Sequence, residues 1–180
     1  MSFYYRCKDR LFSIKETDLN MVLAFKKIYE KNERIHSHVS NACTILDPFD
    51  TAIAVFIDQY ISLWSGKEYD YINEEIINNG KPEIILHDND LMLIRGFIEY
   101  SISLNDQYAS YNSLYKKKYI VKSIYNIIEA CGKIELKSLL KKLYIYIADI
   151  VWNCSIEEVL LVEEELNKTQ VKAEVELLDT

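Results

Sequence analysis

Between Lys137 and Val151 the chain carries apolar side chains around almost the whole circumference of a helix, and any fold must find cover for them. Leu139, Leu140, Leu143, Ile147, Ile150 and Val151 recur at helical spacing and make a core stripe. Tyr144, Ile145, Tyr146 and Ala148 fill most of the remainder, which leaves Lys141, Lys142 and Asp149 as a polar edge. A helix that is apolar nearly all round is either central in a large core or covered by something else. In a chain of 180 residues the cover is a partner or the acidic tail folding back, and patterning alone weighs the two evenly.

The rest of the chain gives this helix mostly helical company. Only four Gly and two Pro occur, so obligatory breaks are few. Ser2 to Ile14 reads as two short strands around a turn at Lys8–Arg10. Asp18 is placed to cap a helix through Leu19, Val22 and Leu23 toward Tyr29, and residues 30–46 read as a polar loop. Asp47-Pro48 supplies a cap and a proline for the first helical position. From there Ile53, Phe56, Ile57, Tyr60, Ile61 and Trp64 form one helical face that ends at Gly66. A turn at Asn78–Pro82, a strand at Glu83–Leu86 and a helix capped within Asp88–Asp90 follow, with Leu91, Ile94, Phe97 and Ile98 on one side.

Asn105–Lys118 reads as a polar connection whose Lys116–Lys118 triplet is solvated. Three helices come in quick succession after it. Ile124, Ile127, Ile128 and Cys131 define the first, with Gly132 as its stop, and Lys137–Val151 is the second. Ser155-Ile-Glu-Glu158 is a capping box that opens the third, through Val159, Leu160 and Val162, before an acidic tail.

Signals for chemistry are poor. No glycine-rich phosphate loop occurs, and no serine or cysteine stands in the sequence setting of a nucleophile. His36-Ser-His38 with Cys43 is the one metal-like grouping, but four ligands cannot be assembled locally, so a solvated loop is expected there. No cofactor and no enzymatic activity are expected. A net charge of −7 argues against nucleic-acid or anionic-membrane partners. Met1–Asp9 has no apolar segment of the secretory kind, and Cys7, Cys43, Cys131 and Cys154 lie far apart. Reduced thiols and a cytoplasmic or nuclear protein are the expectation.

The segment Ile127-Ile-Glu-Ala-Cys-Gly-Lys-Ile-Glu-Leu-Lys-Ser-Leu-Leu140 resembles the S-phase kinase-associated protein (Skp) adaptors, whose helices there read roughly L-I-x-A-A-N-Y-L-D-I-K-x-L-L. Ile147-Ala-Asp-Ile-Val151 is similar to that family's V-A-N-M-I, and Ser155-Ile-Glu-Glu-Val159 to its T-P-E-E-I. Upstream, Ile85-Leu-His-Asp with the helix after it resembles the family's P-L-P-N-V strand and helix, and Cys7–Phe12 its opening hairpin without the glycine. The resemblance covers about Glu83–Glu158 well and the hairpin loosely, and Glu30–Gly80 is longer than the family's equivalent and unplaced in it.

What it implies is an α+β, mostly helical chain. A BTB/POZ-like domain, a small three-stranded sheet flanked by helices, would span residues 1–121 with an insertion near 30–80. A C-terminal helical extension would span residues 122–180. The extension would bind an F-box protein or a similar helical partner through Leu140, Leu143, Ile147, Ile150, Val151, Ile156, Val159 and Leu160. The BTB/POZ-like part would bind a cullin, making the chain an adaptor in an SCF-type ubiquitin ligase, and an unpartnered chain would pair with a second copy. The family's Asn-Tyr on its cullin face is Gly132-Lys133 here, and Glu163 stands where a Phe follows the last helix. The alternatives carried with this reading are a structural subunit of a kinetochore or other assembly without cullin binding, and an elongin-C-like adaptor.

Overall fold

A computed structural model describes residues 2–31, 43–45, 50–82, 85–104, 113–164 and 167. Two strands, β1 (Ser2–Cys7) and β2 (Arg10–Lys15), form the expected hairpin, antiparallel, with Tyr5 opposite Phe12. Its turn is made by Lys8 at φ 52°, so a left-handed residue does the work for which glycine is usually chosen. Phe3, Tyr5, Cys7, Phe12 and Ile14 point inward by the alternation of the strands. The Tyr5 ring stacks on Phe12 at 5.0 Å and leans on Phe25 at 5.0 Å.

A third strand, β3 (Cys43–Ile45), pairs parallel with β1, giving the order β2-β1-β3. It falls inside the segment read as a polar loop, because three residues are too few to display a period. The strand expected at Glu83–Leu86 is corrected. Ile85 and Leu86 are not in a strand, while Glu83 and Ile84 lie outside the described residues. The sheet there is instead β4 (Glu68–Asp70), β5 (Glu75–Asn78) and β6 (Lys81–Pro82), in that order. Asn79 and Gly80, both at positive φ, supply the two-residue turn that matches strand twist.

The helices are α1 (Leu23–Lys31), α2 (Thr51–Trp64), α3 (Asp88–Ser103), α4 (Ser113–Lys133), α5 (Lys137–Trp152) and α6 (residues 156–164). All six residues of the face expected for α2 are buried, which makes it the central helix of the core. Its cap is Asp50, whose carboxylate accepts from the Ile53 amide at 3.0 Å, rather than Asp47, which lies outside the described residues. Asp18 caps nothing. A short 3-10 segment (Glu16–Met21) carries it inward, where it accepts from the Ser65 hydroxyl at 2.7 Å and the Gly66 amide at 3.3 Å.

The connection expected at 105–118 is also corrected: helix α4 already begins at Ser113, so Lys116–Lys118 are helical, and residues 105–112 lie outside the described residues. Helix α4 runs past Gly132 to Lys133 and ends because Glu135 turns left-handed at φ 56°. The Leu136 amide then donates to the Cys131 carbonyl at 2.9 Å and the Glu135 amide to the Gly132 carbonyl at 3.2 Å, the paired bonds that close a helix C-terminus. The boundary expected between residues 121 and 122 falls inside α4, and one core cluster holds residues from both sides of it. The carbonyls of Ile134 and Glu135 accept from the first two amides of α1, which ties the N-terminal part of the chain to the α4–α5 corner. The protein is thus α+β and mostly helical, with a small three-stranded sheet and a helical C-terminal part.

Candidate functional site

Helix α5 divides along its length. Its first half is held from several directions. Lys137 pairs with Glu74 at 2.6 Å, and Lys141 pairs with Glu75 at 2.8 Å while also donating to the Asn73 carbonyl at 2.7 Å. These partners sit on the turn between β4 and β5 and at the start of β5. Beneath, the Tyr60 hydroxyl donates to Ser138 Oγ at 3.3 Å, linking α2 to α5.

The deepest anchor is Lys142, which the patterning assigned to a polar edge. It is 1% exposed, and its Nζ lies 2.8 Å from Asp90 Oδ2. Asp90, also buried, further accepts from Trp64 Nε1 at 2.8 Å and from the His87 amide at 3.1 Å, so a single carboxylate joins α2, the start of α3, and α5. The ammonium also stands over the Trp64 ring at 3.9 Å and faces Tyr60 at 5.4 Å. A buried charge needs such a set of partners, since an unpaired one would cost several kcal/mol of desolvation.

Beyond Leu143 the helix changes character. Tyr144, Ile145, Ala148 and Trp152 fall on one side at helical spacing and all face outward, with Tyr144 55% and Trp152 88% exposed. Just beyond, on α6, Ile156 is 81% and Leu160 58% exposed. Single exposed apolar residues need no explanation, but a run of large ones on two consecutive helices marks a surface built to be covered.

The start of α6 is firmly made. The Ser155 amide donates to Glu158 Oε2 at 2.7 Å, and the Glu158 amide donates to Ser155 Oγ at 3.3 Å, which is the capping box read from the sequence. Lys117 on α4 reaches the same Glu158 oxygen at 3.0 Å and the Asn153 carbonyl at 3.4 Å. The amide and the ammonium together hold the Glu158 carboxyl below the usual glutamate range. Val162 is buried, so α6 packs as well as caps.

The residues expected on the partner face are therefore split. Leu143 lies wholly within the core, because it shares the inner side of α5 with Leu139. Leu140, Ile147 and Ile150 are half-buried against that core, and Val151 and Val159 are half-buried. Only Ile156 and Leu160 stand fully out. Tyr144, Ile145, Ala148 and Trp152 are not among the residues expected on that face, although the place of Trp152 four residues after Ala148 was a signal. Gly132 and Lys133 are exposed at the end of α4, where Lys133 Nζ meets Glu129 at 3.5 Å. His36 and His38 lie outside the described residues, and among those described no grouping of His, Cys, Asp and Glu could hold a metal. No described helix is long and apolar enough to cross a membrane.

No protein-family model, curated protein or solved structure matches the chain.

Proposed function

We propose that this chain is a non-enzymatic adaptor of the Skp kind, and that it binds an F-box-type helical partner across the outer side of α5 and the start of α6. The observation that carries the reading is the exposed run Tyr144, Ile145, Ala148 and Trp152, continued by Ile156 and Leu160. Opposite it, α5 is pinned to the core, so the run is presented on a rigid support. Large aromatic and aliphatic side chains on a fixed helix face are what helix-in-groove recognition uses, with Trp and Tyr as the dominant anchors. The parallel β3 beside the opening hairpin, followed directly by a buried helix, supports the BTB/POZ-like part of the reading. On this view the counterpart of the family's strand and helix is β3 with α2, and not the Ile85 segment.

The test is affinity purification of the full chain, with bound proteins identified by mass spectrometry. Wild type recovers F-box proteins, and Trp152→Ala with Ile156→Asp loses them while the melting temperature holds. Recovery that survives both substitutions, or recovery of no F-box protein at all, refutes the proposal. The same experiment separates a ligase adaptor, which brings a cullin, from a structural subunit, which does not. Gly132-Lys133 in place of Asn-Tyr favours the structural subunit.

A further inference from the structure

The charges that border the exposed run of α5 and α6 bear on what covers it. Every lysine of α5 is already paired within the fold, Lys137 with Glu74, Lys141 with Glu75 and Lys142 with Asp90. Residues 156–164 of α6 carry no lysine or arginine at all. The exposed acids stand differently. Asp149 on α5 and Glu157 and Glu163 on α6 face solvent, and among the described residues none of the three makes an ion pair.

Helical spacing puts these carboxylates beside the apolar run. Asp149 stands four residues after Ile145 and three before Trp152, so it shares their side of α5. Glu163 lies seven residues after Ile156 and three after Leu160 and continues their stripe, while Glu157 borders it. An occupant that covers the run therefore meets a rim of uncompensated negative charge. On such a rim, opposite charge steers and selects a partner, and like charge rejects it.

The patterning leaves two covers open for α5, a partner and the tail, and the rim separates them. The tail carries Glu165, Glu174, Glu176 and Asp179 against Lys168 and Lys172, so laid over the run it would set acid against acid. A second copy docking by the same face would bring the same three acids to both sides of the contact. A helix of another protein with basic edges meets neither objection.

We propose that the partner helix seated on the α5–α6 face is basic at its edges, with an apolar stripe over Trp152 and Ile156 and lysine or arginine side chains toward Asp149 and Glu163. This rests on the reading of that face as the partner-binding surface and names the chemistry of what binds there.

The probes are three synthetic helix-forming peptides that share one leucine stripe and differ only in having lysine, serine or glutamate along its edges. A fourth has the sequence of residues 165–180. Each is titrated by anisotropy against the full chain. The lysine-edged peptide binds at least about tenfold more tightly than the glutamate-edged one at low salt, the serine-edged one falls between, and the gap narrows as salt rises. Trp152→Ala weakens all three. Asp149→Lys weakens the lysine-edged peptide about three- to tenfold, whereas Asp9→Lys, the same charge change in the exposed turn of the hairpin, does not. Asp149→Lys with Glu163→Lys reverses the order of the lysine- and glutamate-edged peptides. Asp149 lies in the last turn of α5 and Glu163 in the C-terminal half of α6, where lysine suits the helix dipole, and circular dichroism and melting verify the fold.

Binding that needs Trp152 but ignores the charge of the edges, or that Asp9→Lys weakens as much as Asp149→Lys, overturns the proposal and leaves the adaptor reading standing. Binding that ignores Trp152→Ala, or no binding by any of the three, overturns both. Trp152-dependent binding of the 165–180 peptide, or a wild-type dimer that Trp152→Ala dissociates, makes the tail or a second copy the occupant and overturns the proposal as well.

Discussion

Replacing Lys142 with methionine isolates the contribution of the buried charge pair. Methionine keeps the unbranched stem that packs against Trp64 and Tyr60 and removes only the ammonium. Asp90 then retains its bonds from Trp64 Nε1 and the His87 amide, but it sits in the core without a counter-charge. Removing one partner of a buried pair costs about 3–5 kcal/mol. The two surviving donors place Lys142→Met near the lower end, at about 3 kcal/mol. For a chain of this size each kcal/mol moves the midpoint by about 2–4 °C, so a fall of about 6–12 °C is expected.

The assay is chemical and thermal denaturation of wild type, Lys142→Met, Asp90→Asn and the double variant. Neutralising Asp90 as well removes the stranded charge. The double variant should therefore recover at least about 2 kcal/mol relative to the sum of the two singles, which is the mark of direct coupling. A loss below about 1 kcal/mol for Lys142→Met, or two single effects that simply add, would show that water reaches the pair. The account of α5 as a helix pinned from within would then fail.

Other perturbations separate local causes in the same way. Asp18→Ala leaves the Ser65 hydroxyl and the Gly66 amide without their acceptor and should cost about 1–3 kcal/mol in denaturant titration. Gly96→Ala, at a helical position with open space around it, should stabilise by about 0.5–1 kcal/mol through backbone entropy, read as a higher denaturation midpoint. Burial lifts the Asp58 carboxyl above the usual aspartate range, with Arg10 opposing the shift. The folded state therefore prefers the protonated form. Stability linked to this group is full below the unfolded value and is lost as pH rises through the folded one. Asp58→Asn should accordingly raise the melting temperature at neutral pH and change it little in acid. Glu158 runs the other way, because its folded value is depressed. The capping box should hold at neutral pH and loosen as acid protonates this carboxyl, seen as lower amide-exchange protection factors, each relative to the intrinsic rate at the same pH, at Ser155 and Glu158.

Sequence patterning recovered the parts of the fold whose signals are local. The hairpin is visible in the alternation of Phe3, Tyr5, Phe12 and Ile14, α2 in its buried face, and α6 in the reciprocal Ser155 and Glu158 bonds. Each of these rests on residues within a turn or two of one another. The rest was hidden because it depends on pairs far apart in the chain. Asp90 looks like a helix-start acid, and by accepting from the His87 amide it is one; nothing near it announces Lys142, which lies 52 residues away. Lys142 itself follows Lys141 and reads as part of a solvated edge, yet one is exposed and the other is fully buried. Asp18 repeats the lesson with Ser65, 47 residues on. The site suffered from the same blindness. An apolar all-round helix says that two sides need cover, but which side meets the core is decided by the distant groups that grip it.

Those distant groups come largely from residues 30–80, the stretch that the sequence resemblance leaves unplaced. Glu74 and Glu75 lie in residues 30–80, and so does Trp64, which helps to fix Asp90. All their contacts fall on the first half of α5, at Lys137, Lys141 and Lys142. A helix gripped in this way has a fixed rotation about its own axis, because neither the buried Lys142–Asp90 pair nor the pairs of Lys137 and Lys141 survive a turn of the helix. With rotation fixed, Tyr144, Ile145, Ala148 and Trp152 must point away from the core, however apolar they are. The β4–β5 turn therefore acts on the candidate partner face without touching it. Glu74→Gln, at the less buried of the two pairs, should weaken partner binding more than stability, since such a pair is worth only about 0.2–1 kcal/mol to the fold. Its larger effect would be the loss of a preset orientation that the partner would otherwise have to impose on binding.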